Sequence, residues 1–281
     1  MPRRLLFVLL PFAAAAVTMG TLAFTTKSAP TRAAAAVPAL NVTAKPTGWV
    51  APGVRVTVGG FAGSGAAVLL RADGHVVART TAGKLGRYSF SFAPRASGRV
   101  RLAVQSAGVF RPAGTLVVRP VSLDAVGDVT FGEEVGPAIA DHGGAYPWSF
   151  VGARLREADI TIGNLETAVS TRGTAAVKEF TFRGPPAALR PMRGLAGFDV
   201  LTLANNHTVD YGRDALLDTV KAVKAAGIEP IGAGANEAQA RRPAIVEAGG
   251  LRVAFLGYSD VITTIRGLGY SLEEPEEARA S

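Results

Sequence analysis

The chain reads as an α/β protein built in layers, with a run of short β-strands ahead of alternating strands and helices and an apolar segment at its N-terminus. Three observations carry that reading. Between Leu40 and Val118, apolar and polar residues alternate over short stretches separated by turns. After Pro120, strand-length apolar runs alternate with helical patterns. The charge also changes sign between the two regions. Residues 1–36 hold four Lys/Arg and no acid, residues 37–120 hold eleven against the single acid Asp73, and residues 121–281 hold fifteen against twenty-one acids, giving +4, +10 and −6. These boundaries divide the chain into a signal anchor (1–27), a linker rich in Ala, Thr and Pro (28–38), a β-sandwich (39–120) and an α/β domain (121–281).

In the first segment, Arg3 and Arg4 precede an uncharged run of twenty residues from Leu5 to Phe24. About twenty apolar residues in a helix span a bilayer core, and flanking arginines stay in the cytoplasm. The segment therefore predicts a single-pass cell-membrane protein with everything after Lys27 outside. Cleavage near Ser28-Ala29 or within Ala33–Ala36 would release a secreted form instead. The chain has no cysteine, which excludes disulfides, thiolate metal sites, a cysteine nucleophile and a lipoprotein anchor. With 48% hydrophobic and 19% charged residues, it has enough apolar material for a buried core, so global disorder is excluded.

In the sandwich region, Val54–Val58, Tyr88–Phe92 and Val100–Val104 alternate strictly. Ala67–Leu70 and Val76–Ala78 flank Ala72-Asp73-Gly74, a hairpin signal, and Thr115–Val118 closes the set. Six or seven strands in this span predict an immunoglobulin-type sandwich. Its basic surface suits an anionic surface polymer or lipid headgroups. Trp49, Phe61, Tyr88, Phe90 and Phe92 sit at strand-core spacing and form no stacking platform, which argues against nucleic acid.

The α/β region predicts strands at Val121–Val126, Asp159–Gly163, Phe198–Ala204, Ile228–Gly232 and Arg252–Gly257. Helices are expected at Phe150–Glu157, Pro186–Leu195 and Asp214–Ala226, the last with Leu216, Leu217, Val220 and Val223 on one face and Gly227 as its stop. Polar groups gather where strands end: Gly127-Asp128, then Gly163-Asn164-Leu165-Glu166, then Asn205-Asn206-His207. Ligand sites in open α/β sheets lie beyond the carboxyl ends of strands. Taken singly, Asp128 reads as a helix cap, Glu166 as a surface carboxylate, the asparagines as turn formers and His207 as a buried histidine. Together they bring carboxylate, amide and imidazole to one rim, a donor set for Mn²⁺, Zn²⁺ or Mg²⁺ and for hydrolysis assisted by a histidine.

Gly127-Asp128-Val129-Thr130-Phe131-Gly132, Ala158–Thr167 and Leu203–Gly212 resemble, in order, signatures of the poly-γ-glutamate capsule-biosynthesis family (CapA/PgsA). Gly232–Asn236 and Val253–Tyr258 continue the resemblance to about residue 270. The family is similar to calcineurin-like metallophosphoesterases, whose fold is a sandwich of two sheets flanked by helices. The resemblance implies Asp128 as a first-metal ligand, Glu166 in the bridging position, Asn206 as the amide ligand and His207 as the catalytic histidine. Asn205 and Asp210 would orient that loop, and Asn164 would support Glu166. The sequence departs from the family by ending at Ser281, before the later histidine-bearing stretches. The resemblance thus implies an incomplete two-metal site, in a fragment, a frameshifted product or a true truncation.

Three functions follow as expectations. The first is a metal-dependent hydrolase component of cell-surface poly-γ-glutamate synthesis, working with other capsule-synthesis subunits and acting on phosphoester or amide bonds. The second is a non-catalytic, membrane-anchored component that holds an acidic polymer. The third is an exported nucleotidase-like phosphatase.

Overall fold

The alternating stretches of the N-terminal region do form strands. In the computed structural model, which describes residues 39–259, they are β1 (Asn41–Ala44), β2 (Trp49–Val50), β3 (Val56–Phe61), β4 (Ala67–Ala72), β5 (His75–Thr81), β6 (Arg87–Phe92), β7 (Gly98–Ser106) and β8 (Val109–Val118). The expected anchor and linker lie outside the described residues. No helix among the described residues is long and apolar enough to cross a membrane.

Two sheets result, in the orders β1-β3-β6 and β2-β8-β7-β4-β5. Period-two alternation turns Val56, Val58, Tyr88 and Phe90 of the first sheet toward Val68, Leu70, Leu102, Val104, Leu116 and Val118 of the second, and one core closes between them. In the β4–β5 turn, Asp73 and Gly74 both have positive φ, as a two-residue hairpin of matching twist requires. β1 and β2 were not expected. β1 is short and largely exposed, and β2 is a two-residue pairing with β8, so neither carries an alternation long enough to read.

The C-terminal region alternates as the sequence suggests. It contains β9 (Leu123–Val129), α1 (Val135–His142), α2 (Gly152–Leu155), β10 (Ile160–Leu165), α3 (Leu189–Ala196), β11 (Val200–Thr202), α4 (Gly212–Ala225), β12 (Glu229–Ile231), α5 (Glu237–Ala240), β13 (Ala244–Ala248) and β14 (Leu251–Phe255). β9 to β12 make one parallel sheet in the order β12-β11-β10-β9. The main core packs α3 and α4 against it through Leu165, Met192, Phe198, Leu201, Leu216 and Val223. The β13–β14 hairpin contributes Ala244, Val246 and Phe255 to a second cluster with Val200, Ile231 and Ile162. Two readings are corrected. The apolar run Val121–Val126 reads as a buried strand, whereas β9 is an edge strand with alternating exposure. The inward face of α4 keeps Leu216, Val220 and Val223 but includes Ala215 and Thr219 in place of Leu217, with the Thr219 hydroxyl donating to Ala215 O and accepting the Val169 N–H.

A polar clamp joins the sandwich to the parallel sheet. The Arg119 guanidinium lies 3.6 Å from the Trp49 ring centroid and grips both carboxylate oxygens of Asp159 at 2.6 Å. Asp159 Oδ2 also accepts the Ser122 N–H and hydroxyl. Beside the clamp, Ala51 N–H donates to Gly249 O at 2.8 Å. A β-carbon at Gly249 would stand 2.2 Å from the Trp49 ring, so only glycine admits this approach. Arg119 and, less strongly, Ser122 hold the Asp159 carboxyl well below the usual carboxylate range, overriding its burial.

Arg119→Ala removes a bidentate charge-assisted pair and a cation–π contact, for an expected loss of about 2–3 kcal/mol in urea unfolding. Arg99→Ala, an exposed arginine on β7, should change stability by less than about 0.5 kcal/mol. Asp159 titrates lower when folded than when unfolded. The clamp therefore contributes fully above the unfolded carboxylate pKa of about 4, and the gap between wild type and Arg119→Ala narrows as the pH falls below it.

Candidate metal centre

The carboxyl ends of β9 and β10 and the loop after β11 meet at one rim. Between β9 and β10 the register slips once: Ile162 faces Ala125, but Asn164 faces Asp128. This bulge sets Asp128 opposite Asn164 and re-aims its side chain. At the slip, a β-carbon on Gly163 would lie 2.7 Å from Phe198 and 3.0 Å from Val126, so the strands can close here only around a glycine.

A chain of amides then fixes the rim. Asn205 Nδ2 donates to Asn164 Oδ1 at 2.8 Å and to Leu165 O at 3.0 Å. Asn164 Nδ2 in turn donates to Asp128 Oδ1 at 2.8 Å. The other end of Asn205, Oδ1, accepts the His207 N–H at 3.0 Å and the Thr208 hydroxyl at 3.1 Å. Asn164 was expected to support Glu166, but its bonds run to Asp128 and Asn205. Glu166 instead meets Asp128 directly. The Asp128 carboxyl is held below its usual range, first by Asn164 and then by Glu166. Glu166 is pushed up, first by burial and then by the hydrogen bond and charge of Asp128. The two carboxyls thus act on one another, and His207 lies close enough to act on both.

His207 is buried, with its ring stacked on Phe182 at 4.1 Å. Its Nδ1 lies 2.8 Å from Asp210 Oδ2, which also accepts the Phe182 N–H at 2.7 Å. Lys178 forms an ion pair with Asp210 Oδ1, an oxygen with no other hydrogen-bonding partner among the described residues, and its ammonium donates to Asn206 O at 3.0 Å. Nδ1 of His207 thus faces both the Asp210 carboxylate and the Lys178 ammonium, the latter at 3.3 Å, which fixes the ring and leaves Nε2 as its other nitrogen.

The structure brings Asp128, Asn164, Glu166, Asn205, His207 and Asp210 into one network. Asn206 sits beside it with an exposed side chain. Sequence reasoning missed Lys178 and Phe182. They lie in a stretch without periodicity, and Asp210, which they serve, is 32 and 28 residues away; no local pattern links them. Among the described residues, no group of three or more His, Asp or Glu is placed to hold a metal ion by itself. The donor chemistry nonetheless fits a divalent cation. Two neighbouring carboxylates repel each other unless a positive charge lies between them, and amide and imidazole donors stand alongside.

Residues 122–279 match the family model described as bacterial capsule synthesis protein PGA_cap. The chain is 31% identical over 159 residues to the capsule biosynthesis protein CapA of Bacillus anthracis, covering 55% of this chain and 38% of that protein. It is 37% identical over 146 residues to a probable polyglutamine synthesis accessory protein of Mycobacterium tuberculosis, covering 48% and 36%. Against the PGA biosynthesis protein CapA of Bacillus subtilis the identity is 27% over 144 residues, covering 50% and 38%. The chain thus spans less than two-fifths of the length of these relatives. Domains 4 and 5 of the S-layer protein SbsC match at a TM-score of 0.24 and 15% identity over 29% of this chain and 51% of that one, too slight a likeness to define a fold. The family match takes in more than half of the 281 residues and contains the whole Asp128–Asp210 network: the protein belongs to the bacterial capsule synthesis family PGA_cap.

Proposed function

We propose that this protein serves in the synthesis of a cell-surface poly-γ-glutamate capsule, and that its C-terminal domain is a divalent-metal-dependent hydrolase. The observation that carries the reading is the Asp128–Glu166 pair, two touching carboxylates fixed by an amide chain next to an oriented histidine. Asp128, Glu166 and the Asn206 amide would hold Mn²⁺, Zn²⁺ or Mg²⁺. Such an ion, when bound, polarises a phosphoryl or carbonyl oxygen and supplies a nucleophilic water.

The chain's own residues do the rest. Asn164 and Asn205 keep Asp128 in place. Asp210 orients the His207 ring, leaving Nε2 to take or return a proton at the reacting bond. Lys178 balances the buried Asp210 charge and tethers the Asn206 carbonyl, so the histidine and the amide ligand are held from one point. Phosphoester and amide bonds both suit this arrangement, and a substrate panel that includes nucleotides separates them. In the same reading Leu5–Phe24 anchors the chain in the cell membrane with the rest outside, the sandwich is an immunoglobulin-like module between anchor and catalytic domain, and other capsule-synthesis subunits are partners.

Calorimetric titration of Mn²⁺ and Zn²⁺ into the full chain tests the centre. Saturable binding is expected, weakened at least about tenfold in Glu166→Ala and in Asn206→Ala. No binding to a folded wild-type chain would sink the metal centre and leave a non-catalytic surface component. Lys178→Met leaves Asp210 with His207 and Phe182 as its donors, for an expected destabilisation of about 1–3 kcal/mol. In ¹⁵N spectra of the three histidines, it should also shift the His207 resonances and leave those of His75 and His142 in place.

A further inference from the structure

The three-stranded sheet of the sandwich has an outer face that neither core uses. Pairing of β3 with β6 sets Thr57 opposite Ser91, Gly59 opposite Ser89 and Phe61 opposite Arg87. The alternate residues Val56, Val58, Tyr88 and Phe90 point inward, so Thr57, Gly59, Phe61, Arg87 and Ser89 share the outward face. β1 adds Thr43 on one side, and the edge strand β5 adds Thr80 and Thr81 on the other. Together they line a groove of about 470 Å³.

Its chemistry is one-sided. Hydroxyls from Thr43, Thr57, Thr80, Thr81 and Ser89 supply both donors and acceptors, and no carboxylate lines the groove. Gly59 keeps the floor low: an added β-carbon would come within 3.1 Å of Tyr88 O and 3.8 Å of the Ala44 side chain. Arg87 stands at the rim with its guanidinium 5.9 Å from the Phe61 ring centroid, free of any ion pair among the described residues. The surrounding module has eleven Lys/Arg against one acid. That acid, Asp73, lies in the β4–β5 turn and is engaged by Arg101. The long-range field therefore draws anions, and the groove offers a guanidinium for a carboxylate and hydroxyls for amide N–H and C=O groups.

We propose that this groove binds an extended polyamide bearing carboxylates. That the polymer is poly-γ-glutamate rests on the capsule reading above; the groove's preference for carboxylate and amide groups rests on its own lining. The module then holds the polymer as well as spacing the catalytic domain from the membrane.

The test is calorimetric titration of a poly-γ-glutamate oligomer into the full chain with a chelator present, which takes the metal centre out of the measurement. Saturable binding is expected, weakened at least about tenfold by Arg87→Gln and by Gly59→Val. Arg99→Gln, on the other sheet, should alter the affinity by less than about twofold, and neutral dextran should not bind. Urea unfolding of both groove variants checks that they remain folded, and Arg87→Gln alone decides the matter if Gly59→Val does not. No binding, equal losses in Arg87→Gln and Arg99→Gln, or equal affinity for dextran would each overturn the groove. A wild-type chain that binds divalent metal but not the polymer defeats this inference alone, and one that binds the polymer but not metal defeats the metal centre alone.

Discussion

The Asp159 carboxylate is the point on which the rest of the structure hangs. It collects the Arg119 guanidinium, the Ser122 N–H and the Ser122 hydroxyl, and its own N–H returns a bond to Ser122. The first partner ends the sandwich and the second leads into β9, while Asp159 leads into β10. One side chain thus ties the two cores together and pins the starting register of β9 against β10. A one-residue slip in that register would turn every side chain of β9 to the opposite face. Asp128 would then leave Asn164, and the rim would lose its first carboxylate.

From that fixed start, the rim is built by satisfying amides rather than by packing. Asn205 has partners at both ends of its amide, and Asn164 passes the restraint on to Asp128. Asp128 is therefore held by a side-chain partner, while the side chain of Asn206 is exposed beside the rim. His207 is restrained from a different direction, by Asp210 and the Phe182 ring.

Much of this was legible in the sequence where one residue's role depends on its near neighbours. Alternation located six sandwich strands, the Asp73-Gly74 turn and the strand-end motifs. It failed where the local signal points the other way. α1 is not among the expected helices, and Gly136-Pro137 lies in its first turn, where proline's missing N–H has no helical partner to lose. Gly249 admits the close approach of Trp49, two hundred residues earlier, which no local pattern reveals. Lys178 is invisible for the same reason, since its partner Asp210 is distant in the chain. The exchange of Asn164 from Glu166 to Asp128 follows from a bulge that no single-strand pattern reveals.

The distribution of charge gives these parts a common logic under the proposed function. The sandwich carries +10 over residues 37–120 and the C-terminal region −6 over 121–281, and the described residues fall within one compact unit. An anionic chain drawn to the sandwich would meet like charge at the neighbouring carboxylates of Asp128 and Glu166. A divalent ion there would reverse that local sign, so cation and polyanion should each favour the other's binding, reciprocally and by the same factor. Attraction at the sandwich alone would hold the polymer without bringing it to the rim. The cation is what would make the rim accessible, which links occupancy of the metal centre to the approach of an acidic substrate before any bond is broken.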